Sequence, residues 1–129
     1  MSLETKVRFQ GGVAVIDLDG RLAFASEGQH LRDTLVGLFE QGHTHLLVNL
    51  AGLQFADSGG LGDLVAAYAA ITRRGGVIKL LEPQGKILAM LRTTHIDALF
   101  EICSGESAAI ASFPAGGAEG PGDGGLLDD

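Results

Sequence analysis

Apolar residues along the chain alternate between two spacings, and each change of spacing marks a change of element. Val13-Ala14-Val15-Ile16-Asp17-Leu18 is a short, nearly continuous apolar run, as a buried strand requires. Lys6-Val7-Arg8-Phe9 precedes it across Gly11-Gly12, so the N-terminus reads as a β-hairpin. Beyond Gly20 the period becomes helical: Leu31, Leu35, Leu38 and Phe39 fall on one side of a helix that Ser26 can cap and Gly42 ends. His45-Leu46-Leu47-Val48-Asn49-Leu50 returns to strand spacing, with Leu46, Val48 and Leu50 on one face. Leu61, Leu64, Val65, Tyr68 and Ile71 then give a second helix, with Arg73 and Arg74 in its last turn and Gly75-Gly76 as its stop. Val77 to Leu81 is the next strand. A third helix runs from Gln84 to Thr94 with Ile87, Leu88 and Leu91 inward, Phe100 to Cys103 forms a last strand, and Glu106 to Phe113 a last helix. Such alternation predicts one α/β domain over residues 1–113: a mixed, largely parallel sheet opening with an antiparallel hairpin and flanked by about four helices.

Composition narrows the function classes. The core of this 129-residue chain must be built from Leu, Val, Ile and Ala, because there are six Phe, one Tyr and no Trp. A formal charge of −7 without clustered Lys and Arg argues against nucleic acid as a partner. The single Cys103 excludes an intramolecular disulfide and reads as a small apolar residue. The absence of an N-terminal signal pattern and of a long apolar run predicts a cytoplasmic protein without membrane insertion. Residues 114–129 hold six Gly, two Pro, four acids and no base, a composition expected of a disordered tail, with Leu126-Leu127 the one candidate docking peptide.

The richest chemistry lies at Leu53-Gln54-Phe55-Ala56-Asp57-Ser58-Gly59-Gly60-Leu61-Gly62, where a strand gives way to the second helix. A hydroxyl or carboxylate there can cap the helix, and the positive end of the helix dipole would tolerate a phosphate on Ser58. Capping alone accounts for Asp57 and Ser58. It does not account for Gly59, Gly60 and Gly62, each costing up to about 1 kcal/mol against Ala in a helix, so the backbone there is expected to meet the sheet or a partner closely. The Asp-Ser-Gly-Gly spelling is also that of the trypsin-like nucleophile, but residue 56 is Ala, residue 61 is Leu, and His30, His43 and His45 carry no general-base signature. His43 and His45, two apart, lack a third ligand at metal-binding spacing. Neither a catalytic residue, a cofactor nor a metal is therefore expected. Lys6, Arg8 and Arg21 could gather near the hairpin, most simply as a solvated edge.

Residues 1 to about 113 resemble the STAS domain family, in particular the bacterial anti-sigma-factor antagonists. The resemblance rests on Leu18-Asp19-Gly20-Arg21-Leu22, on Leu46 to Leu53, on Phe55-Ala56-Asp57-Ser58-Gly59-Gly60-Leu61-Gly62 and on Gly75-Gly76, in that order. It implies a non-catalytic partner-switching regulator. In such proteins the residue after the Asp, here Ser58, is phosphorylated by an anti-sigma factor that is itself a Ser/Thr kinase. The unmodified antagonist binds that kinase, phosphorylation releases it, and a metal-dependent Ser/Thr phosphatase restores it. The implied contact residues are Asp57, Ser58, Gly59, Gly60, Leu61, Gly62, Arg21 and Ala23. Two positions depart from the family pattern: Gly59 replaces a frequent second Ser or Thr, and Ala23 a common acid after the Gly-x-Leu unit. These departures define the alternative, a constitutive STAS scaffold or accessory subunit of a lipid-transport ATPase or stress-signalling complex, in which Ser58 is only a cap.

Overall fold

A computed structural model describes residues 3–23 and 26–114, and the side chains from residue 30 onward in the first helix. Strand β1 (Leu3–Gln10) and strand β2 (Val13–Leu22) form the expected hairpin, pairing antiparallel from Gln10 with Val13 to Leu3 with Gly20. Two residues turn the chain, Gly11 and Gly12, both at positive φ (55° and 80°), the backbone that a tight hairpin twist demands. Helix α1 (Ser26–Glu40), strand β3 (His45–Ala56), helix α2 (Ser58–Thr72), strand β4 (Val77–Leu81), helix α3 (Gly85–Thr93), a 3-10 turn (Ile96–Ala98), strand β5 (Glu101–Cys103) and helix α4 (Glu106–Ala111) follow.

The strands lie in chain order, β1-β2-β3-β4-β5, and every pair after the hairpin is parallel. Right-handed crossovers that always step in one direction leave their helices on one face of the sheet. Accordingly Leu31, Leu35 and Leu38 of α1, Leu61, Leu64 and Ile71 of α2, and Ile87 and Leu91 of α3 share one core with Ile16, Leu18, Leu46, Val48 and Leu80. Strand alternation sends Val13, Val15, Leu47 and Leu81 to the other face, where, among the described residues, the short α4 and Phe113 cover them.

The structure revises several boundaries. β2 and β3 run on to Leu22 and Ala56, past the apolar runs that announce them, because Asp19, Gly20, Arg21 and Leu22 keep pairing with Gly52, Leu53, Phe55 and Ala56 through register shifts between Asp17 and Asp19 and between Gly20 and Arg21. Backbone pairing, invisible in a hydropathy pattern, sustains these polar ends as strand. α2 stops at Thr72, with Arg73 as its C-cap rather than in its last turn. α4 ends at Ala111, and Leu88 is only half-buried. The Ser26 side chain, and with it the capping role expected of it, lies outside the described side chains, and the tail reading for residues 115–129 lies outside the described residues. No helix among the described residues is long and apolar enough to cross a membrane.

Candidate functional site

Parallel strands β2 and β3 end side by side, and α2 starts from that rim. The Asp57 N–H donates to the Leu22 carbonyl at 3.2 Å, clipping the start of α2 to the end of β2. Asp57 has an extended backbone (φ −114°, ψ 174°), and its carboxylate accepts the Gly60 N–H at 2.8 Å while its carbonyl accepts the Leu61 N–H at 2.9 Å. Asp57 is thus the N-cap. Ser58, which the sequence also allowed as a cap, is the first helical residue, and it is exposed to solvent. Its hydroxyl is spared the structural duty because the carboxylate one residue earlier performs it.

The three glycines separate. A Cβ on Gly60 would lie 2.4 Å from the Leu22 carbonyl oxygen, so this glycine serves the close seat of α2 on β2. Gly62 is exposed, with nothing within 4 Å of where a Cβ would stand. Gly60 is buried and Leu61 is 1% exposed within the main core. The side chains left at the rim are Ser58 and, half-buried, Asp57, Arg21 and Ala23, beside the backbone of Gly59 and Gly62.

Arg21 brings a residue to this rim that the sequence reading placed in the motif but left without a role. Its guanidinium carbon stacks 3.9 Å from the ring centroid of Phe55, its register partner across β2 and β3. Phe55 is 37% exposed, whereas its neighbour Ala56 is 3% exposed and turned to the core. Strand alternation just before the junction was the available signal.

The other basic residues go elsewhere. Arg8 grips Asp17 (2.6 and 2.9 Å) and both carboxylate oxygens of Glu106 (2.7 Å each), and Asn49 also donates to Asp17 at 2.8 Å. Hydrogen bonding to Arg8 holds the Asp17 and Glu106 carboxyls below their ordinary range against an opposing desolvation. Arg21 lies beyond the last β1–β2 pair, so no cluster of Lys6, Arg8 and Arg21 forms. Lys79, 6% exposed, donates to the Ser112 carbonyl and hydroxyl oxygens (3.1 and 2.8 Å) and sits 3.1 Å from Glu101. His43 packs on Phe9 with ring centroids 4.7 Å apart, and His45 is 6% exposed and packs on Phe113 at 5.3 Å. Both stand at the end of β3 opposite Ser58, which separates them from any base role toward its hydroxyl. No group of three His, Cys, Asp or Glu gathers as a metal site among the described residues. Cys103 is half-buried, and burial raises its thiol pKa.

A sheet led by an antiparallel hairpin and otherwise parallel has counterparts among known proteins. The STAS domain model matches residues 4–109. The chain belongs to the STAS domain family. Within that family, the anti-sigma F factor antagonist of Paenibacillus polymyxa is 23% identical over 113 residues, covering 88% of this chain and 97% of the relative. Among solved structures, an anti-sigma factor antagonist from Mycobacterium paratuberculosis is similar with a TM-score of 0.72 at 20% identity, over 86% of this chain and 93% of its own. The Bacillus cell-fate determinant SpoIIAA in its phosphorylated form gives 0.65 at 21% identity, over 84% and 97%. At these identities the solved structures establish the STAS fold. The role of this STAS domain's rim follows from its own residues.

Proposed function

We propose that this STAS domain is a cytosolic, non-catalytic anti-sigma-factor antagonist that binds an anti-sigma factor Ser/Thr kinase while Ser58 is unmodified and is released when Ser58 is phosphorylated. One observation carries the reading. The hydroxyl that follows the N-cap is exposed and free of capping duty, so a kinase can reach it without the helix losing its start. The antagonist name of the Paenibacillus relative, matched over nearly its whole length, supports the same reading.

Phosphorylation adds roughly −1.5 to −2 charges and three acceptor oxygens at the positive end of α2. Within the domain that is a mild change, since Asp57 opposes it while the helix terminus favours it. At an interface it is a large one, because a contact closing over Ser58 would have to desolvate a dianion. The switch is therefore a veto on docking rather than a rearrangement of the fold. A metal-dependent Ser/Thr phosphatase would restore the binding form.

Incubation with the anti-sigma kinases of the same genome and ATP, followed by mass spectrometry, should place phosphate on Ser58. Binding should vanish in Ser58→Asp and persist through kinase treatment in Ser58→Ala. Tight binding by Ser58→Asp would overturn the reading. Ala23 favours a second one: no carboxylate stands at that rim position, and a domain that binds constitutively would show unmodified Ser58 and equal affinity for both variants.

A further inference from the structure

We infer that Arg21 and Phe55 together form the anchor by which this rim holds its partner, and that the partner segment presents a carboxylate beside an apolar recess. The inference rests on the antagonist reading above and names the chemistry of that contact. The guanidinium lies over the ring at 3.9 Å, and the two residues are register partners at the ends of β2 and β3. Phe55 is one of three large apolar side chains exposed among the described residues, with Phe9 and Leu99, and it alone belongs to the strand end that leads into Ser58. It is absent from both core clusters, so the fold does not explain an aromatic there.

Stacking covers a face of a guanidinium and leaves its in-plane N–H groups for a bidentate acceptor. Arg8, Arg32, Arg74 and Lys79 each have a carboxylate within 4.0 Å; among the described residues Arg21, like Lys6, Arg73, Lys86 and Arg92, has none, and of these five it alone stacks on an aromatic ring. A partner carboxylate can take that position in the plane of the guanidinium while an apolar recess closes over the ring edge. Arginine and aromatic residues, Phe included, are enriched in protein interfaces, and arginine is among the residues that most often dominate their binding energy. Continuity with Ser58 follows from the Asp57 N–H to Leu22 carbonyl bond, which ties the start of α2 to the residue after Arg21. A phosphate on Ser58 would then bring negative charge to the rim where the partner must set its own carboxylate, adding repulsion to desolvation.

The test is titration calorimetry of the full, unphosphorylated chain against the purified anti-sigma kinases of the same genome. Arg21→Glu should weaken binding about 100-fold or more, since it sets two carboxylates against each other. Arg21→Ala and Phe55→Ala should each weaken it about tenfold, and the double variant by less than the product of the two, because the ring orients the guanidinium. Arg21→Lys should fall between wild type and Arg21→Ala. Unchanged thermal midpoints would show that the variants fold. Wild-type affinity in Arg21→Glu and Phe55→Ala, with Ser58→Asp unable to bind, would overturn the anchor and leave the antagonist reading intact. Failure of the wild-type chain to bind any of the kinases would overturn both. Loss in Arg21→Glu of self-association rather than of kinase binding would assign the pair to a second copy of this chain and also overturn the proposal.

Discussion

Around Ser58, neighbouring residues carry separate tasks, and single substitutions should separate them. Asp57→Ala removes the carboxylate that accepts the Gly60 N–H, and should cost about 1 kcal/mol in chemical denaturation. Ser58→Asp should change stability by no more than about 0.5 kcal/mol, because the side chain is exposed and a negative charge at a helix N-terminus is tolerated. The two glycines give the sharpest contrast. Gly60→Ala forces a methyl to within 2.4 Å of a backbone carbonyl and should destabilise by about 1–3 kcal/mol. Gly62→Ala, two residues on and in open space, should stabilise α2 by up to about 1 kcal/mol. Equal effects of these two substitutions on the thermal midpoint would refute the close seat of α2 on β2.

At the scale of elements, α4 is the helix held differently from the rest. Six residues are too few to be helical alone, and its N-cap, Gly105, makes no side-chain capping bond. Contacts with the sheet hold it instead. Arg8 clasps Glu106 at one end, Lys79 bonds Ser112 at the other, and Ala109 and Phe113 pack on Val13, Val15, Leu47 and Leu81. The Asp17 and Glu106 carboxyls have folded-state pKa values lowered mainly by Arg8. Their stabilisation is therefore complete above the ordinary carboxylate range, near pH 4, and is lost as pH falls through the lower folded values. Partial exposure of these groups keeps the effect modest. The thermal midpoint should fall as pH drops below about 4, and Arg8→Ala should remove most of the part due to these two groups. Hydrogen exchange should find α4 amides opening before those of α2, and sooner still in Arg8→Ala, since the cluster beneath α4 is the smaller of the two.

At the scale of the whole molecule, the buried residues of both apolar clusters among the described residues lie between Val13 and Phe113, and a chain ending after Pro114 should keep the thermal midpoint of the full one. A fall of several degrees on truncation would show the last residues to be part of the folded body. The elements themselves were legible in the sequence because apolar spacing reports one-sided burial: Leu31, Leu35 and Leu38 announced α1, and Gly11-Gly12 announced the hairpin. The junction at residues 57–62 was legible as well, since a helix start needs a cap and an exposed polar residue there has no burial to serve. Other features depend on residues distant in the chain. Apolar spacing could not extend β2 to Leu22, for Asp19, Gly20 and Arg21 are strand only by pairing with β3. Nor could it choose between Asp57 and Ser58 as cap, or between Gly60 and Gly62 as the glycine under the strand, because both choices depend on where the Leu22 carbonyl lies. The sequence alone determined the order and type of the elements and the location of the strand-to-helix junction that carries the proposed switch, which are set by local backbone preference and by which positions shun water. Tertiary structure alone decided that Gly60 lies against the Leu22 carbonyl, that Arg21 stacks on Phe55 and that Arg8 holds α4, because each of these is a contact between segments brought together only when the sheet closes.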